Sequence, residues 1–159
     1  MSQDKGRHRE IRKEISKRFL GNKFFCTSHE SKGDIKFYKL QGTKYIFLAE
    51  PDIVVNINDA SFIVEIELTN SPKHLLGVAL AIYSSEFARY DKRKEYTKIG
   101  KKSLLIIVDS KRINKENSEK PEQIQTVKEI VKEKLKFEFF DIVTEDIAKI
   151  LIDKWIGKV

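Results

Sequence analysis

Residues 49–72 read AEPDIVVNINDASFIVEIELTNSP, and this stretch places acidic residues inside two runs that look like buried strands. The run 61–68 alternates in period 2, with Phe, Val, Ile and Leu on one face and Glu65 and Glu67 on the other. Asp52 begins the preceding apolar run. An ionised carboxylate is costly to bury unless a cation or a hydrogen-bond donor meets it, so these acids require a partner.

The turn between the two runs predicts how the acids are brought together. A turn centred on Asn58 and Asp59 would pair the strands so that Asp52 lies level with about Glu65. Glu65 and Glu67, on alternate residues of one strand, share a face, so all three carboxylates are expected to converge. Close carboxylates repel each other, and oxygen ligands suit a hard ion, so the residues predict a Mg²⁺ or Mn²⁺ site. The alternative is an amphipathic strand whose acids simply face water.

Hydrophobic periodicity along the rest of the chain predicts an α/β fold. Helices are predicted over 7–20, within 71–90, over 121–136 and over 144–158; strands over 34–40, 44–50, 52–57, 61–68, 102–109 and 137–143. Ser71 is a suitable N-cap, and the segment from Leu75 to Tyr83 predicts a helix buried nearly all round. An antiparallel meander followed by two helical crossovers predicts a mixed central sheet flanked by helices, in a single domain 1–159.

Composition narrows the classes of partner. The chain has 159 residues, of which 35% are charged, and a net charge of +7, which favours a polyanionic partner such as nucleic acid. Cys26 is the only cysteine, so an intrachain disulfide is excluded. The polar N-terminal sequence does not resemble a signal peptide, and no apolar run reaches the length of a membrane span. We therefore expect a soluble, cytoplasmic protein with no membrane partner.

With these residues in view, the chain resembles a known family. "PD" at 51–52, twelve intervening residues and "EIE" at 65–67 resemble the PD-(D/E)xK nuclease motif in its ExE variant. The first helix, the hairpin 34–50 and the helix and strand that follow are similar to the αβββαβ core of that restriction endonuclease-like superfamily. The resemblance covers about residues 7–109, and 110–159 is similar to a common αβα extension.

The resemblance implies a set of metal-binding and catalytic residues. Asp52 and Glu65 would bind one Mg²⁺, for which Mn²⁺ can substitute, and the carbonyl of Ile66 would complete the coordination. Glu67 stands where the superfamily usually has Lys, and it would orient or deprotonate the attacking water. Many members add an acid from the first helix, and Glu14 is the candidate because it lies near the apolar face of that helix.

The same resemblance suggests where DNA would bind. Lys73 and His74, just after the predicted metal strand, could contact the phosphate backbone, as could Lys92, Arg93 and Lys94 of the following basic segment. Cutting both strands of a duplex usually needs a symmetric partner, so a homodimer is expected.

Three functions follow from these observations. The first is a Mg²⁺-dependent DNA endonuclease, and within that class a small type II restriction enzyme, where the Glu variant is best known. The second is a Holliday junction resolvase or DNA-repair nuclease of the same fold. The third is a nucleic-acid-binding member without catalytic activity, which Glu67 in place of Lys would explain.

Other polar and aromatic residues have simpler interpretations. His8, His29 and His74 lack metal-ligand spacing and are predicted to be plain surface residues. The pleat of the strand is expected to point Glu50 away from the site. Base-reading residues are expected in the loops 21–33, 91–101 and 110–120.

Several aromatic residues lie among the basic ones. Phe37, Tyr38, Tyr90 and Tyr96 could stack on nucleic-acid bases, or they could equally belong to the core.

Overall fold

The computed structural model describes residues 2–19, 26–28, 35–55, 60–69, 71–90, 93–113 and 119–158, which form an α/β fold. The helices are α1 (Ser2–Phe19), α2 (Pro72–Ser84), α3 (Ser110–Ile113), α4 (Lys120–Lys134) and α5 (Glu145–Lys158). The strands are β1 (Cys26–Ser28), β2 (Ile35–Gln41), β3 (Lys44–Ala49), β4 (Ile53–Val55), β5 (Ala60–Glu67), β6 (Phe87–Tyr90), β7 (Thr97–Lys98), β8 (Lys101–Val108) and β9 (Phe139–Thr144).

The strands form two sheets. A five-stranded mixed sheet has the order β1-β4-β5-β8-β9, in which β1, β4 and β5 pair antiparallel while β5, β8 and β9 pair parallel. A four-stranded antiparallel sheet has the order β3-β2-β6-β7. The helical crossovers that parallel pairing requires are supplied by α2 between β5 and β8 and by α4 between β8 and β9.

Alternation along β5 decides which helices cover each face of the mixed sheet. Phe62 and Val64 belong to a buried cluster with Ile11 and Ile15 of α1 and with residues of α5. Ile63 points the other way, into a second cluster with residues of α2, α4 and the inner face of the antiparallel sheet. The two faces of β5 are therefore both buried, and Glu65 lies on the same face as Ile63.

Helix α2 is fixed at both ends, which places its first turn beside the end of β5. Ser71 caps the N-terminus, because its Oγ accepts a hydrogen bond from His74 N at 3.2 Å. At the other end the ammonium of Lys102 donates to the carbonyls of Tyr83, at 2.6 Å, and of Ser85. Burial lowers the pKa of Lys102 to about 8, so the charged donor is still the main form at neutral pH.

Several predictions from periodicity are confirmed. The apolar stripe of the first helix is buried, the 34–50 hairpin pairs as expected, and 102–109 contains a central parallel strand. The predicted register is also confirmed, because Ile53 pairs with Val64 and Val55 with Phe62. None of the helices within the described ranges is long and apolar enough to span a membrane.

Other predictions are wrong, and most of the errors come from pairing between distant segments. The helix within 71–90 ends at Ser84, and β6 follows because it pairs with β2, some fifty residues earlier in the chain. The hairpin joins β6 and β7 in a sheet of its own instead of extending the mixed sheet. The helix is also not buried all round, since Leu80 is 55% exposed.

All three predicted loops contain regular structure. Strand β1 lies within the predicted loop 21–33, β7 lies within 91–101, and α3 lies within 110–120. The predicted turn at Asn58 and Asp59, together with His29, lies outside the described residues.

Candidate functional site

Asp52 and Glu65 meet where β4 begins and β5 ends. Their side chains are hydrogen-bonded to each other, and each is only 7% exposed. The backbone holds both acids in place: Ile66 N donates to Asp52 Oδ2 at 2.9 Å, and the backbone N–H of Asp52 donates to the carboxyl group of Glu65. The β4–β5 register produces this contact, because the pair Ile53–Val64 places residues 52 and 65 next to each other across the strands.

The two acids have opposite protonation behaviour. Burial raises the pKa of Glu65 well above its usual value, and the negative charges of Asp52 and Glu67 raise it further. Burial would also raise the pKa of Asp52, but its hydrogen bonds to His8, Ile66 and Glu65 and the charge of His8 together lower it. The opposite directions of the two shifts favour a protonated Glu65 beside an ionised Asp52.

His8, on α1, is the cationic partner of Asp52. Its Nε2 lies 3.2 Å from Asp52 Oδ1. This hydrogen bond raises the pKa of His8, against the opposing effect of burial, and so favours the charged imidazolium. His8 lies three residues before the buried Ile11, and this spacing places the imidazole on the helix face that is turned toward the sheet.

Glu67 is paired with a second histidine. Its Oε2 lies 2.6 Å from Nε2 of His74, in the first turn of α2. Burial raises the pKa of Glu67, although the charge and hydrogen bond of His74 oppose the shift. The site thus contains three carboxyl groups and two histidines from α1, β4, β5 and α2.

Two open grooves meet at these carboxyl groups. The first groove, of about 590 Å³, is lined by Asp52 and His8 and, along α1, by three basic side chains, Lys5, Arg9 and Arg12. The positive potential of such side chains favours an anionic ligand beside the acids.

The second groove, of about 520 Å³, lies at the N-terminus of α2. It is lined there by Lys73 and His74. Glu50, Glu65 and Glu67 line both grooves, so the carboxyl groups stand on the boundary between them.

The structure brings most of the predicted site residues together, with Glu14 as an exception. Asp52, Glu65, Ile66 and Glu67 all line the first groove. Glu14 does not line either groove; its Oε2 lies 3.0 Å from Nζ of Lys149 on α5, because its position on α1 faces that helix. The residue of the first helix that contacts the carboxyl groups is therefore His8, and the predicted acid Glu14 does not.

Some of the predicted DNA-binding residues line the grooves and others do not. Lys73 and His74 line the second groove, although His74 contacts Glu67 in the structure. Arg93 lies over the ring of Tyr90 at 5.3 Å, and neither Arg93 nor Lys94 lines either groove. Lys92 lies outside the described residues.

The sequence interpretation missed three features of the site. His8 and His74 are not plain surface residues, since each contacts a carboxylate of the site. Glu50 does not point away, because it lines both grooves. A usable signal was present for His8, whose spacing of three from Ile11 puts it on the buried side of the helix.

The donor chemistry of the site suits a hard divalent ion. Asp52 and Glu65 offer adjacent carboxyl oxygens, and Glu67 borders the same grooves. Within the described ranges, however, no group of three or more His, Cys, Asp and Glu side chains is arranged so that it could hold a metal ion. A cation would have to replace the proton of Glu65, and Glu67 would have to leave His74 to become a third ligand.

Comparison of the chain with protein-family models, with curated proteins and with solved structures found no match.

The protonation of the site predicts how stability depends on pH. Glu65, Glu67 and His8 have raised pKa values in the folded protein, so folding binds protons and the free energy of unfolding should fall as pH rises. The fall begins above the ordinary value of 4.5 for the two glutamates and above 6.5 for His8, and each contribution ends once that group has lost its proton in the folded state. One such proton gives a slope of up to about 1.4 kcal/mol per pH unit.

Glu65→Gln tests the main source of this slope, because the amide keeps a donor toward Asp52 and does not titrate. In denaturant titrations between pH 5 and 8 with EDTA, we expect the variant to lose most of the slope and to be more stable than wild type at the upper end. Equal slopes in the two proteins would contradict the assignment of the proton to Glu65.

Proposed function

We propose that the chain is a Mg²⁺-dependent DNA endonuclease of the PD-(D/E)xK superfamily, of the small type II restriction enzyme kind. The observation that carries the proposal is the hydrogen-bonded pair of Asp52 and Glu65, both of which line the groove along α1 while Glu65 also lines the groove at α2, and both grooves carry basic side chains. Two buried carboxyl groups in contact are costly in a folded protein, and carboxyl groups with perturbed pKa values in a groove are enriched at functional sites.

The order of the elements also supports the proposal. An αβββαβ core requires a helix, three antiparallel strands, a helix and a strand parallel to the third. The same order and strand directions are found in α1, β1, β4, β5, α2 and β8. Asp52 lies at the start of β4, and Glu65 lies near the end of β5. Strands β2, β3, β6 and β7 would then be additions to the core.

In this proposal Asp52 and Glu65 hold the ion, and Glu67 with the carbonyl of Ile66 borders it. The bound ion would polarise the scissile phosphodiester and lower the pKa of a water molecule. The carboxylate of Glu67 would accept the proton of the attacking water. The pKa of Glu67 is raised toward neutral pH, where a general base is most effective. His74, at 2.6 Å from Glu67 Oε2, would fix the orientation of that carboxylate.

The basic side chains around the carboxyl groups would bind the DNA backbone. Lys5, Arg9 and Arg12 line the groove along α1, and Lys73 lines the groove at the start of α2. A DNA backbone that crosses from one groove to the other would pass over the carboxyl groups, with basic side chains on both sides of them. Cleavage of both strands would require a homodimer.

A second candidate is a nucleic-acid-binding member of the same fold that does not cleave. The observation that favours it is that His8 lies 3.2 Å from Asp52 and His74 lies 2.6 Å from Glu67, so each of these acids already has a side-chain partner. In that case the two histidines would replace the cation, and the grooves would bind the phosphate backbone without reacting.

Cleavage assays separate these candidates. Purified protein is incubated with supercoiled plasmid and with a synthetic four-way junction, in Mg²⁺, in Mn²⁺ or in EDTA. Discrete plasmid fragments that require the metal support a restriction enzyme, whereas cleavage confined to the junction supports a resolvase. Salt-sensitive retardation of DNA on gels with no cleavage in any metal would reject the nuclease and favour the binding protein.

A further inference from the structure

The antiparallel sheet presents a row of aromatic side chains on its outer face. The strand register brings these onto one side: Tyr38 pairs with Phe47 on β3 and with Phe87 on β6. Tyr45, two residues from Phe47, and Tyr96, just before β7, continue the row. We call Tyr38, Tyr45, Phe47, Phe87 and Tyr96 the aromatic face.

The rings of the aromatic face pack on one another. Tyr45 and Tyr96 are stacked, with centroids 3.6 Å apart and planes 7° from parallel. Phe87 meets Tyr45 edge-on at 5.3 Å. Phe47 meets Tyr38 in the same way at 6.0 Å. The rings are therefore held in place before any ligand binds.

This face is the outer side of the sheet, where Phe47 and Tyr45 are exposed while Tyr38 is only 6% exposed beneath its neighbours. The opposite side carries Ile35, Phe37 and Ala88, which belong to the buried core. An antiparallel sheet with one face on the core usually turns polar residues to water on the other. Here Phe47 is 52% and Tyr45 37% exposed, so large apolar rings lie where polar residues are expected.

A guanidinium group lies within the aromatic face. Arg89 donates to the hydroxyls of Tyr38, at 3.1 Å, and Tyr96, at 3.2 Å, and its Cζ lies 5.3 Å and 5.0 Å from the centroids of the same two rings. Its Nε is buried and has no hydrogen-bond partner in the structure. The face thus combines π surfaces with a fixed positive charge.

The segments that build this sheet are strongly basic. Residues 35–50 and 86–101 together contain nine Lys and Arg against four Asp and Glu, which is most of the excess positive charge of the chain. A second copy of the chain would bring the same charge to the face and be repelled. A flexible polyanion with planar rings has the complementary chemistry.

We propose that the aromatic face binds single-stranded nucleic acid, with bases stacked on Phe47 and Tyr45 and phosphates near the basic side chains. The ligand chemistry is shared by DNA and RNA. This binding surface is distinct from the carboxyl groups of Asp52, Glu65 and Glu67, and it does not depend on whether those groups cleave DNA.

Fluorescence anisotropy with labelled, mixed-sequence DNA and RNA 12-mers in EDTA and low salt tests the proposal. Phe47→Ala is expected to weaken binding by roughly tenfold, the typical loss for one stacked base. Ile150→Ala, which removes a side chain of matched exposure (51%) on α5, should bind as wild type does. Phe47→Trp should retain affinity, and its added fluorescence, measured against the Trp155 background, should be quenched by the oligonucleotide.

Three results would overturn the proposal: no binding of either oligonucleotide by wild type, equal affinity of Phe47→Ala and wild type, or dissociation of a wild-type dimer by Phe47→Ala in sedimentation. The last would show that the face joins two copies of the chain. Because EDTA removes metal-dependent cleavage, a failed nuclease assay leaves this result unaffected.

Discussion

Asp52→Asn is expected to reduce metal-dependent DNA cleavage by about 10³-fold or more, because it removes the one carboxylate of the Asp52–Glu65 pair that is ionised without metal. The amide has the same shape, and its oxygen can still accept the hydrogen bond that Ile66 N donates. The loss should therefore appear in the rate of cleavage, measured on plasmid under single-turnover conditions, while the circular dichroism spectrum remains that of the folded wild type.

Asp153→Asn provides the control for this substitution. Asp153 is exposed on α5, pairs with Arg18, and does not line either groove. The same chemical change there should leave cleavage at the wild-type rate. Undiminished cleavage by Asp52→Asn would remove Asp52 from the reaction.

Divalent metal is expected to stabilise the folded protein, and more strongly at higher pH. The ion must replace the proton on Glu65, so its apparent affinity should rise as that proton becomes easier to remove. With Mg²⁺ at about one hundred times its dissociation constant, the gain is about 2.7 kcal/mol. For a chain of this size the unfolding temperature would rise by roughly 5–10 °C.

Thermal unfolding at pH 6 and pH 8, with MgCl₂ against NaCl of equal ionic strength, measures this effect. Wild type should show the larger shift at pH 8, and Asp52→Asn should show little shift at either pH. An equal shift in both proteins would mean that the ion binds elsewhere or acts only by screening surface charge.

Local sequence pattern was sufficient to predict the elements that carry the acids. The alternation from Phe62 to Leu68 correctly gave both faces of β5, and the position of the turn correctly gave the level of Asp52 opposite Glu65. These features depend on residues within about fifteen positions of one another, where side-chain periodicity and turn placement largely determine pairing.

Contacts between segments that are distant in the chain could not be predicted from local sequence pattern. Phe87–Tyr90 continues an apolar helical segment, and only its pairing with β2 makes it a strand. The contacts of His8 with Asp52 and of Glu14 with Lys149 depend on how α1 is rotated against the sheet and α5. Helical spacing gives the buried stripe of α1 but not which neighbour each flanking polar residue meets.

The most direct test of the proposed metal site is an anomalous difference map from crystals grown with MnCl₂ at pH 8. We expect a single strong peak about 2.1 Å from carboxyl oxygens of both Asp52 and Glu65, with the hydrogen bond between those two side chains broken. A map without a peak at this position, in which Glu65 still donates to Asp52 and Glu67 still contacts His74, would contradict a metal-dependent nuclease.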